Sequence, residues 1–292
     1  MNAGIYWLAS YPKSGNTWFR AFISNLLHGA EADIDINAMD TGEIASSRHW
    51  LDELLGFDSA DLSTDEIERL RPTIYRWTVD REAKGLSYHK IHDAYLRLAD
   101  GEPMVSREAT RGALYILRNP LDVAISASHH WGCSVDDAIE RMGRPNFEIA
   151  KSKRGLQNQV GQRLLSWSQH VLSWVDADDL HCCVVRYEDM LSNSTDSFTR
   201  AAHFLKLDAD EAEIQRAIQQ SSFEKLSAQE QANGFRERSA KAERFFRSGK
   251  AGSWRDVLTT EQVQTIICDH GDVMKRFGYL DAHGVPYTER TA

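Results

Sequence analysis

The feature that most constrains the fold is a short apolar run that leads through a polar loop into an amphipathic stretch. The apolar run covers residues 5–9, and residues 15–27 carry apolar side chains at helical spacing. The loop between them reads Tyr11-Pro12-Lys13-Ser14-Gly15-Asn16-Thr17-Trp18. A buried strand followed closely by a helix is the repeating unit of α/β proteins, so we predict that the chain begins with one.

Three further apolar runs have the same character. They cover residues 86–91, 113–117 and 182–185, and each precedes a helical pattern or a polar loop. This alternation predicts an α/β fold with a central parallel β-sheet flanked by helices. The predicted helices cover residues 15–27, 63–84, 156–175, 196–205, 211–219 and 260–277.

Local signals refine the prediction for the helix over residues 63–84. Ser63 and Glu66 have the spacing of a capping box, and Pro72 predicts a break in the helix that follows. The stretches 28–62 and 128–155 show no clear periodicity, so we predict insertions over the sheet edge that are suited to selecting a substrate.

Composition and charge narrow the class of protein. Of 292 residues, 42% are hydrophobic and 26% are charged, which is typical of a soluble enzyme. We predict one domain over residues 1–292, although this length would also suit two small domains. The net charge of −9 argues against nucleic acid as a partner, because phosphate neutralisation needs a basic face. The early apolar run leaves no room for a signal peptide and no run could cross a bilayer, so we expect a cytoplasmic protein without a membrane partner.

The cysteines show no pattern typical of a metal site. Adjacent Cys182 and Cys183 lie in an apolar run, where successive side chains of a strand point to opposite faces. Neither these two nor Cys133 and Cys268 have zinc-ligand spacing. We expect buried thiols in a reducing compartment and no metal.

The loop at residues 11–18 has the chemistry of an anion site. The first N–H groups of a helix lack partners, and the helix dipole is positive there. Gly15 lets the backbone approach a ligand, Lys13 adds a charge and Thr17 adds a hydroxyl. The alternative is an ordinary helix start with a surface lysine. A nucleoside triphosphatase loop is excluded, because that pattern needs an earlier glycine and Lys13 precedes the only one.

This loop resembles the 5′-phosphosulfate loop of sulfotransferases that use 3′-phosphoadenosine 5′-phosphosulfate (PAPS). The resemblance implies the P-loop-like nucleotide-binding fold of that family. Asn16 stands where many members have threonine. The donor-binding residues implied in the loop are Lys13, Ser14, Gly15, Asn16, Thr17 and Trp18.

A second strand–turn–helix pattern follows residues 113–117. Asn119 is suited to cap a helix, and Pro120 is suited to its first position. Arg118 follows the end of the strand, and the several N–H donors of its guanidinium suit a phosphate. The alternative is an ion pair with an acidic residue on the surface, which is common for an arginine at such a position. The string resembles the family's 3′-phosphate motif, which implies that Arg118 and Ser126 contact that phosphate.

Three later segments are also similar to the family, so the resemblance extends from residue 5 to about residue 277. The Tyr-Glu-Asp string at residues 187–189 implies that Tyr187 lies near the adenine or the 3′-phosphate. The Ser-Ser-Phe string at residues 221–223 implies that Ser221 and Phe223 contact the donor, with the aromatic ring on adenine.

The loop at residues 246–254 resembles the segment that closes over the 3′-phosphate. The resemblance implies donor contacts from Arg247, Ser248 and Gly249. Ser248 replaces the usual lysine, whose charge Lys250 is placed to supply, and Ser253 replaces the usual aspartate.

Residues 88–93, Tyr-His-Lys-Ile-His-Asp, end the second predicted strand at the sheet edge where ligands bind. Alternation puts Lys90 and His92 on one face and His89 on the other. Family members carry Lys-Thr-His here, which implies that His92 is the general base and that Lys90 and Lys13 stabilise charge. Asp93 is a candidate to orient the imidazole. A structural histidine at a strand end is the alternative.

These inferences predict transfer of a sulfuryl group from PAPS to a hydroxyl, or with less support an amine, of a small-molecule acceptor. Transfer is an in-line displacement that leaves adenosine 3′,5′-bisphosphate (PAP). A small-molecule kinase with a related fold is the alternative, and a non-catalytic nucleotide-binding protein is a third. His130 and Trp131 are candidates for the acceptor pocket. Residues 255–264 diverge too far from the family's dimer segment to support a homodimer.

Overall fold

The computed structural model describes residues 3–29, 33–82, 85–150 and 157–287. Four strands form a parallel sheet in the order β2-β1-β3-β6, and β4 and β5 form a small antiparallel pair. The strands are β1 (Gly4–Ala9), β2 (Leu86–Ile91), β3 (Thr110–Leu117), β4 (Glu148–Ile149), β5 (Gln162–Arg163) and β6 (Cys182–Arg186). The predicted parallel sheet is therefore confirmed, and the carboxyl ends of its four strands meet at one edge.

Helices cover both faces of this sheet, as predicted. They are α1 (Asn16–His28), α2 (Arg48–Leu55), α3 (Thr64–Glu82), α4 (Pro120–Trp131), α5 (Val135–Gly143), α6 (Trp167–Val175), α7 (Tyr187–Ser192), α8 (Ser194–Phe204), α9 (Glu211–Gln220), α10 (Phe223–Asn233), α11 (Trp254–Val257) and α12 (Thr260–Arg276).

The period-2 alternation of β1 divides the core in two. Trp7 packs into one apolar cluster with side chains of α3, α6 and α12. Leu8 packs into a second cluster with side chains of α1, α8 and α9. Cys182 and Cys183 border the first and the second cluster respectively, so the prediction that they point to opposite faces is confirmed.

Two helix predictions were wrong in part: the break at Pro72 in α3 and the start of α6. Helix α3 begins behind the predicted Ser63–Glu66 capping box, but it continues through Pro72 to Glu82. Proline removes only one backbone hydrogen bond, and the buried side chains of Ile74 and Tyr75 hold the helix against the core beyond it. The predicted end at Lys84 lies outside the described residues.

The helix predicted over residues 156–175 begins only at Trp167, behind a capping box formed by Ser166 and Gln169. Residues of β5 pair with β4 instead, and Leu165 has φ 61°, which a right-handed helix does not allow. Residue 156 lies outside the described part of the chain.

Five helices were missed in the sequence. Helices α2 and α5 lie in stretches that were predicted to be insertions, and α7, α10 and α11 were not predicted. A signal for α5 is present, because Ser134 and Asp137 form a capping box. Within the described residues, no helix combines the length and the apolar character needed to span a bilayer.

Candidate active site

A cavity of about 590 Å³ opens at the carboxyl edge of the sheet. It brings together most of the predicted site residues, which come from six separate parts of the chain. These lining residues are Lys13, Gly15, Asn16, Thr17, Trp18, Lys90, His92, Arg118, Ser126, His130, Trp131, Tyr187, Phe223, Arg247, Ser248 and Gly249.

The predicted residues Ser14 and Ser221 do not line the cavity. The Ser14 hydroxyl is buried and has no hydrogen-bond partner among the described residues. The Ser221 hydroxyl donates to the carbonyl oxygens of Ala217 at 2.8 Å and Ile218 at 3.2 Å. It therefore closes the end of α9, and its donor contact stays a prediction.

The loop between β1 and α1 turns through two left-handed residues, Lys13 at φ 70° and Gly15 at φ 103°. A Cβ atom at Gly15 would lie 2.7 Å from Cδ2 of Tyr187, so only glycine fits here. Asn16 ties the loop to the strand, because its Nδ2 donates to the Leu8 carbonyl oxygen at 2.8 Å. Among the described residues no side chain caps the start of α1, so its first N–H groups are suited to bind an anion.

The Lys13 ammonium lies 3.6 Å from the centroid of the Phe245 ring. Burial, together with the positive charges of Lys90 and Arg118, lowers the pKa of Lys13 to about 7. An anion bound at the loop would favour the charged form of this amine.

Arg118 connects three parts of the site. Its Nη1 donates to the Lys13 carbonyl oxygen at 3.0 Å, and its Nη2 donates to the Lys250 carbonyl oxygen at 3.1 Å. The guanidinium carbon lies 4.2 Å from the centroid of the Tyr187 ring. Its Nε is buried and has no partner among the described residues, so one donor is available to a ligand.

The start of α4 follows the predicted capping pattern, with Asn119 Oδ1 accepting from the Leu121 N–H at 3.0 Å. Asp122, one turn into this helix, was missed in the sequence. Its carboxylate accepts from the backbone N–H groups of Gly252 at 2.7 Å and Trp254 at 3.0 Å. It therefore holds the loop at residues 246–254, the C-terminal loop, over the cavity.

The start of this loop is held by hydrogen bonds to a side chain of α10. Glu230 in α10 accepts from the N–H groups of Phe245 at 2.8 Å and Phe246 at 2.9 Å. Gly249 has φ 63°, and a Cβ atom there would lie 2.4 Å from Cδ2 of Phe223. Phe223 and the Gly249 backbone thus form one wall of the cavity.

His92 has a defined tautomer. Its Nδ1 lies 2.8 Å from the Ser10 carbonyl oxygen, which can only accept, so Nδ1 carries the proton and Nε2 has a free lone pair. Burial, and secondly the charge of Lys90, holds the pKa of His92 well below its usual value. The ring is therefore neutral at pH 7.

The suggestion that Asp93 orients this ring was wrong. Both oxygens of the Asp93 carboxylate accept from Arg71, at 3.0 and 2.8 Å, and both residues are buried in the core. Adjacent residues at a strand end point in opposite directions, so Asp93 faces away from His92. His89 lies on the other face as predicted, stacked on Trp50 at 4.9 Å.

Lys90 has a partner that the sequence did not indicate. Its Nζ donates to Oε2 of Glu237 at 2.7 Å, and Nη1 of Arg20 donates to Oε1 of the same carboxylate at 2.5 Å. Burial alone would raise the pKa of Glu237, but the two cations hold it well below its usual range. Glu237 lies in an irregular segment without a sequence pattern, which is why it was missed.

The far side of the cavity holds the two candidates for the acceptor pocket. Burial, with the charges of Lys13 and Lys90, lowers the pKa of His130 to about 3, so its ring is neutral. Its Nδ1 has no partner among the described residues. Trp131 packs edge to face on Phe147 at 5.2 Å.

Comparison with known proteins identifies the family. The Sulfotransferase domain family matches residues 5–278. Amine sulfotransferase of Oryctolagus cuniculus is 26% identical over 171 residues, which cover 56% of this chain and 54% of the relative. Luciferin sulfotransferase of Photinus pyralis is 24% identical, with 75% of this chain and 55% of the relative covered. The chain spans about half the length of these two curated relatives. Sulfotransferase 2A6 of Rattus norvegicus is 22% identical over 88% of this chain and 80% of its own length.

Two solved structures share the fold. Mouse sulfotransferase SULT7A1 complexed with PAP has a TM-score of 0.57 at 19% identity, with 97% of this chain and 87% of that chain covered. Retinol dehydratase in a complex with retinol and PAP has a TM-score of 0.57 at 22% identity, with 94% and 82% covered. The central parallel sheet with helices on both faces is therefore the sulfotransferase fold.

Proposed function

Because this chain belongs to the sulfotransferase family, we propose that it transfers the sulfuryl group of PAPS to a hydroxyl of a small acceptor and releases PAP. The observation that supports the proposal is one cavity that is lined by two groups of cationic or N–H donor groups, each suited to an anion. One consists of Lys13 and the uncapped start of α1, and the other of Arg118, Ser126 and Arg247. A donor with phosphates at both its 3′ and 5′ positions needs both sites.

The proposal assigns the predicted residues to the parts of the donor. The 5′-phosphosulfate lies against the backbone of residues 13–17. The 3′-phosphate lies against Arg118, Ser126 and the loop at residues 247–249, and the adenine lies between aromatic rings of Tyr187, Phe223 and Trp18. The unpaired Nε of Arg118 and the unpaired Nε1 of Trp18 support this assignment, because buried donors rarely lack a partner.

The chemistry then follows from the residues around His92. Bound PAPS supplies the sulfuryl group and a bisphosphate leaving group. The free Nε2 of His92 accepts the proton of the acceptor hydroxyl, since the Ser10 carbonyl keeps the other proton on Nδ1. Lys13 and Lys90 stabilise the negative charge that develops on the transferred group and the leaving oxygen. An amine is a less favoured acceptor than a hydroxyl, because Lys13 and Lys90 would repel a positively charged ammonium.

The kinase alternative is not favoured by any observation. Among the described residues, Glu237 is the single carboxylate that lines the cavity, and it is engaged by Lys90 and Arg20. A magnesium–triphosphate complex needs carboxylates that are free to bind the metal.

Calorimetry tests the donor assignment. We expect PAP to bind tightly, and adenosine 5′-monophosphate and ATP to bind weakly. Arg118→Ala should weaken PAP far more than adenosine 5′-monophosphate, because only PAP carries the 3′-phosphate. Tight binding of ATP without binding of PAP would refute the proposed sulfotransferase activity. If Arg118→Ala lost affinity equally for PAP and for adenosine 5′-monophosphate, the proposed contact of Arg118 with the 3′-phosphate would be refuted.

An acceptor panel with labelled PAPS tests the transfer itself. The panel should contain phenols, aliphatic alcohols, sugars and amines, and we expect label to be transferred to a hydroxyl compound. Binding of PAP without transfer to any acceptor would favour a non-catalytic nucleotide-binding protein.

A further inference from the structure

Glu237 lies in the irregular segment between α10 and α11, yet it contacts residues from the other end of the chain. Its two oxygens are divided between Lys90 at the end of β2 and Arg20 in α1. The Nε of Arg20 in turn donates to the Thr41 hydroxyl at 2.9 Å. The side chains of Arg20, Lys90 and Glu237 are 6%, 9% and 18% exposed, so this is a buried ion cluster and not a surface pair.

The cluster sets the state of the Lys90 ammonium. Burial lowers the pKa of Lys90, and Arg20 adds to that effect, whereas Glu237 opposes it. A buried ammonium without a counter-ion gives up its proton or turns to solvent. Because Arg20 holds one oxygen of Glu237, the other oxygen stays directed at Lys90.

Three titratable groups face Lys90 from other elements. They are Lys13 in the first loop, His92 after β2 and His130 in α4, and the charge of Lys90 lowers the pKa of each. Lys13 titrates near pH 7 and both rings are neutral there. The charge of Lys90 therefore acts on three other groups of the cavity, and Glu237 is the neighbour that favours this charge.

We propose that Glu237 is a positioning residue, which fixes the charged Lys90 ammonium beside His92 for the transfer step. The inference rests on the proposed function, since Glu237 acts through Lys90 and not on the acceptor. Its carboxylate supplies direction as well as charge, because one oxygen is already committed to Arg20.

The first test is Glu237→Gln, which keeps the shape and removes the charge. NMR of 15N-labelled lysine should show the pKa of Lys90 falling by about one pH unit or more, which is typical of losing a close opposite charge. In the pH profile of kcat, the fall at alkaline pH (the alkaline limb) should move to lower pH by the same amount, while the KM for PAPS changes little. An unmoved Lys90 pKa would overturn the proposal.

Two controls separate charge from folding. Glu237→Asp keeps the carboxylate and should restore most of the wild-type pH profile. Asn37→Ala should loosen the same segment, because Asn37 binds the Gly234 carbonyl and the Arg236 N–H and not the side chains of the ion cluster. We expect this variant to lower the thermal stability and to leave the alkaline limb in place. If Asn37→Ala moves the limb as much as Glu237→Gln does, Glu237 is merely structural.

A double-mutant cycle and chemical rescue complete the test. In a Lys90→Met background, Glu237→Gln should cost no further kcat, because the residue through which it acts is gone. If the Gln variant does not fold, Glu237→Ala with added formate replaces it, and formate should restore kcat. Full additivity or absence of rescue would overturn the proposal. The NMR result needs no turnover, so failure of this proposal and failure of the proposed transfer are distinguishable.

Discussion

At the scale of single residues, His92 is oriented by the Ser10 carbonyl and not by a carboxylate. The hydrogen bond of 2.8 Å fixes the proton on Nδ1, and burial with Lys90 keeps the ring neutral. A neutral ring with a free Nε2 is the form that accepts a proton. The residue can therefore act as a base over the whole neutral range.

His92→Ala should abolish this step and leave the donor site intact. We expect kcat to fall by about 10²–10⁴-fold, the range for loss of a general base, with PAP affinity near wild type. Activity and calorimetric measurements on the same preparation check this result. His89→Ala is the matched control, since His89 packs against Trp50 on the other face and should lower stability more than kcat. Wild-type turnover in His92→Ala would assign the base elsewhere.

From the proposed role of Lys13 we predict that binding of the bisphosphate depends on pH. Its pKa is about 7 in the free protein, and a bound phosphate raises it. At pH 8 the neutral amine must take up a proton on binding, whereas at pH 6 it is already charged. We therefore expect PAP affinity to fall as pH rises above 7.

Calorimetry at pH 8 in buffers of different ionisation enthalpy should record uptake of most of one proton. The second pKa of a phosphate monoester is near 6, so the ligand itself contributes little at pH 8. Lys13→Met should remove the uptake. Uptake that persists in this variant would assign the titrating group to another residue.

Motifs allowed the sequence to predict site residues that stand next to strand ends. Lys13, His92 and Arg118 line the cavity for that reason. Asp122 and Glu237 were not predicted, because each acts on a segment more than a hundred residues away along the chain and no local pattern reports that contact. The Asp93 error has a related cause, because adjacency in sequence does not give the direction of a side chain.

At the scale of elements, the wall of the cavity depends on a close contact between the start of α10 and the C-terminal loop. Gly249 is left-handed and directly faces the ring of Phe223. A side chain at residue 249 must displace either the ring or the loop.

Gly249→Ala should therefore weaken PAP binding about tenfold or more, in addition to the 1–2 kcal/mol that a left-handed alanine costs in stability. Gly56→Ala is the control, because Gly56 has φ 75° with no atom near its Cβ position. It should lose similar stability in denaturant unfolding and keep wild-type PAP affinity in calorimetry. Equal PAP affinity in both variants would show that the contact with Phe223 does not matter.

Strands were easier to predict than helices, for a physical reason. Buried strands of a parallel sheet are rich in apolar residues, and all four were found, although β2 also carries His89 and Lys90. The continuation of α3 through Pro72 depends on tertiary burial, and the late start of α6 depends on the pairing between β4 and β5; a helical period encodes neither.

At the scale of the whole molecule, the cavity is built from segments that lie far apart in the sequence. A ligand that touches the first loop, the ends of β2, β3 and β6, and the C-terminal loop links all of them. Binding to the folded state alone then stabilises the entire structure.

PAP at 100 times its Kd should raise the free energy of unfolding by about 2.7 kcal/mol. Thermal unfolding with increasing PAP checks this value, and Arg118→Ala at the same PAP concentration should show a much smaller rise. A rise with adenosine 5′-monophosphate equal to that with PAP would argue against a distinct 3′-phosphate site.

The position of β1 in the sheet has a consequence for how the chain folds. This strand lies between β2 and β3, so it pairs with residues 86–91 and 110–115. Pairing over such separations requires closure of long loops, and chains with many distant contacts fold slowly. The loop that carries Lys13 is fixed only when these partners have docked, so the ability to bind the donor should emerge late in refolding, after most helical signal has returned.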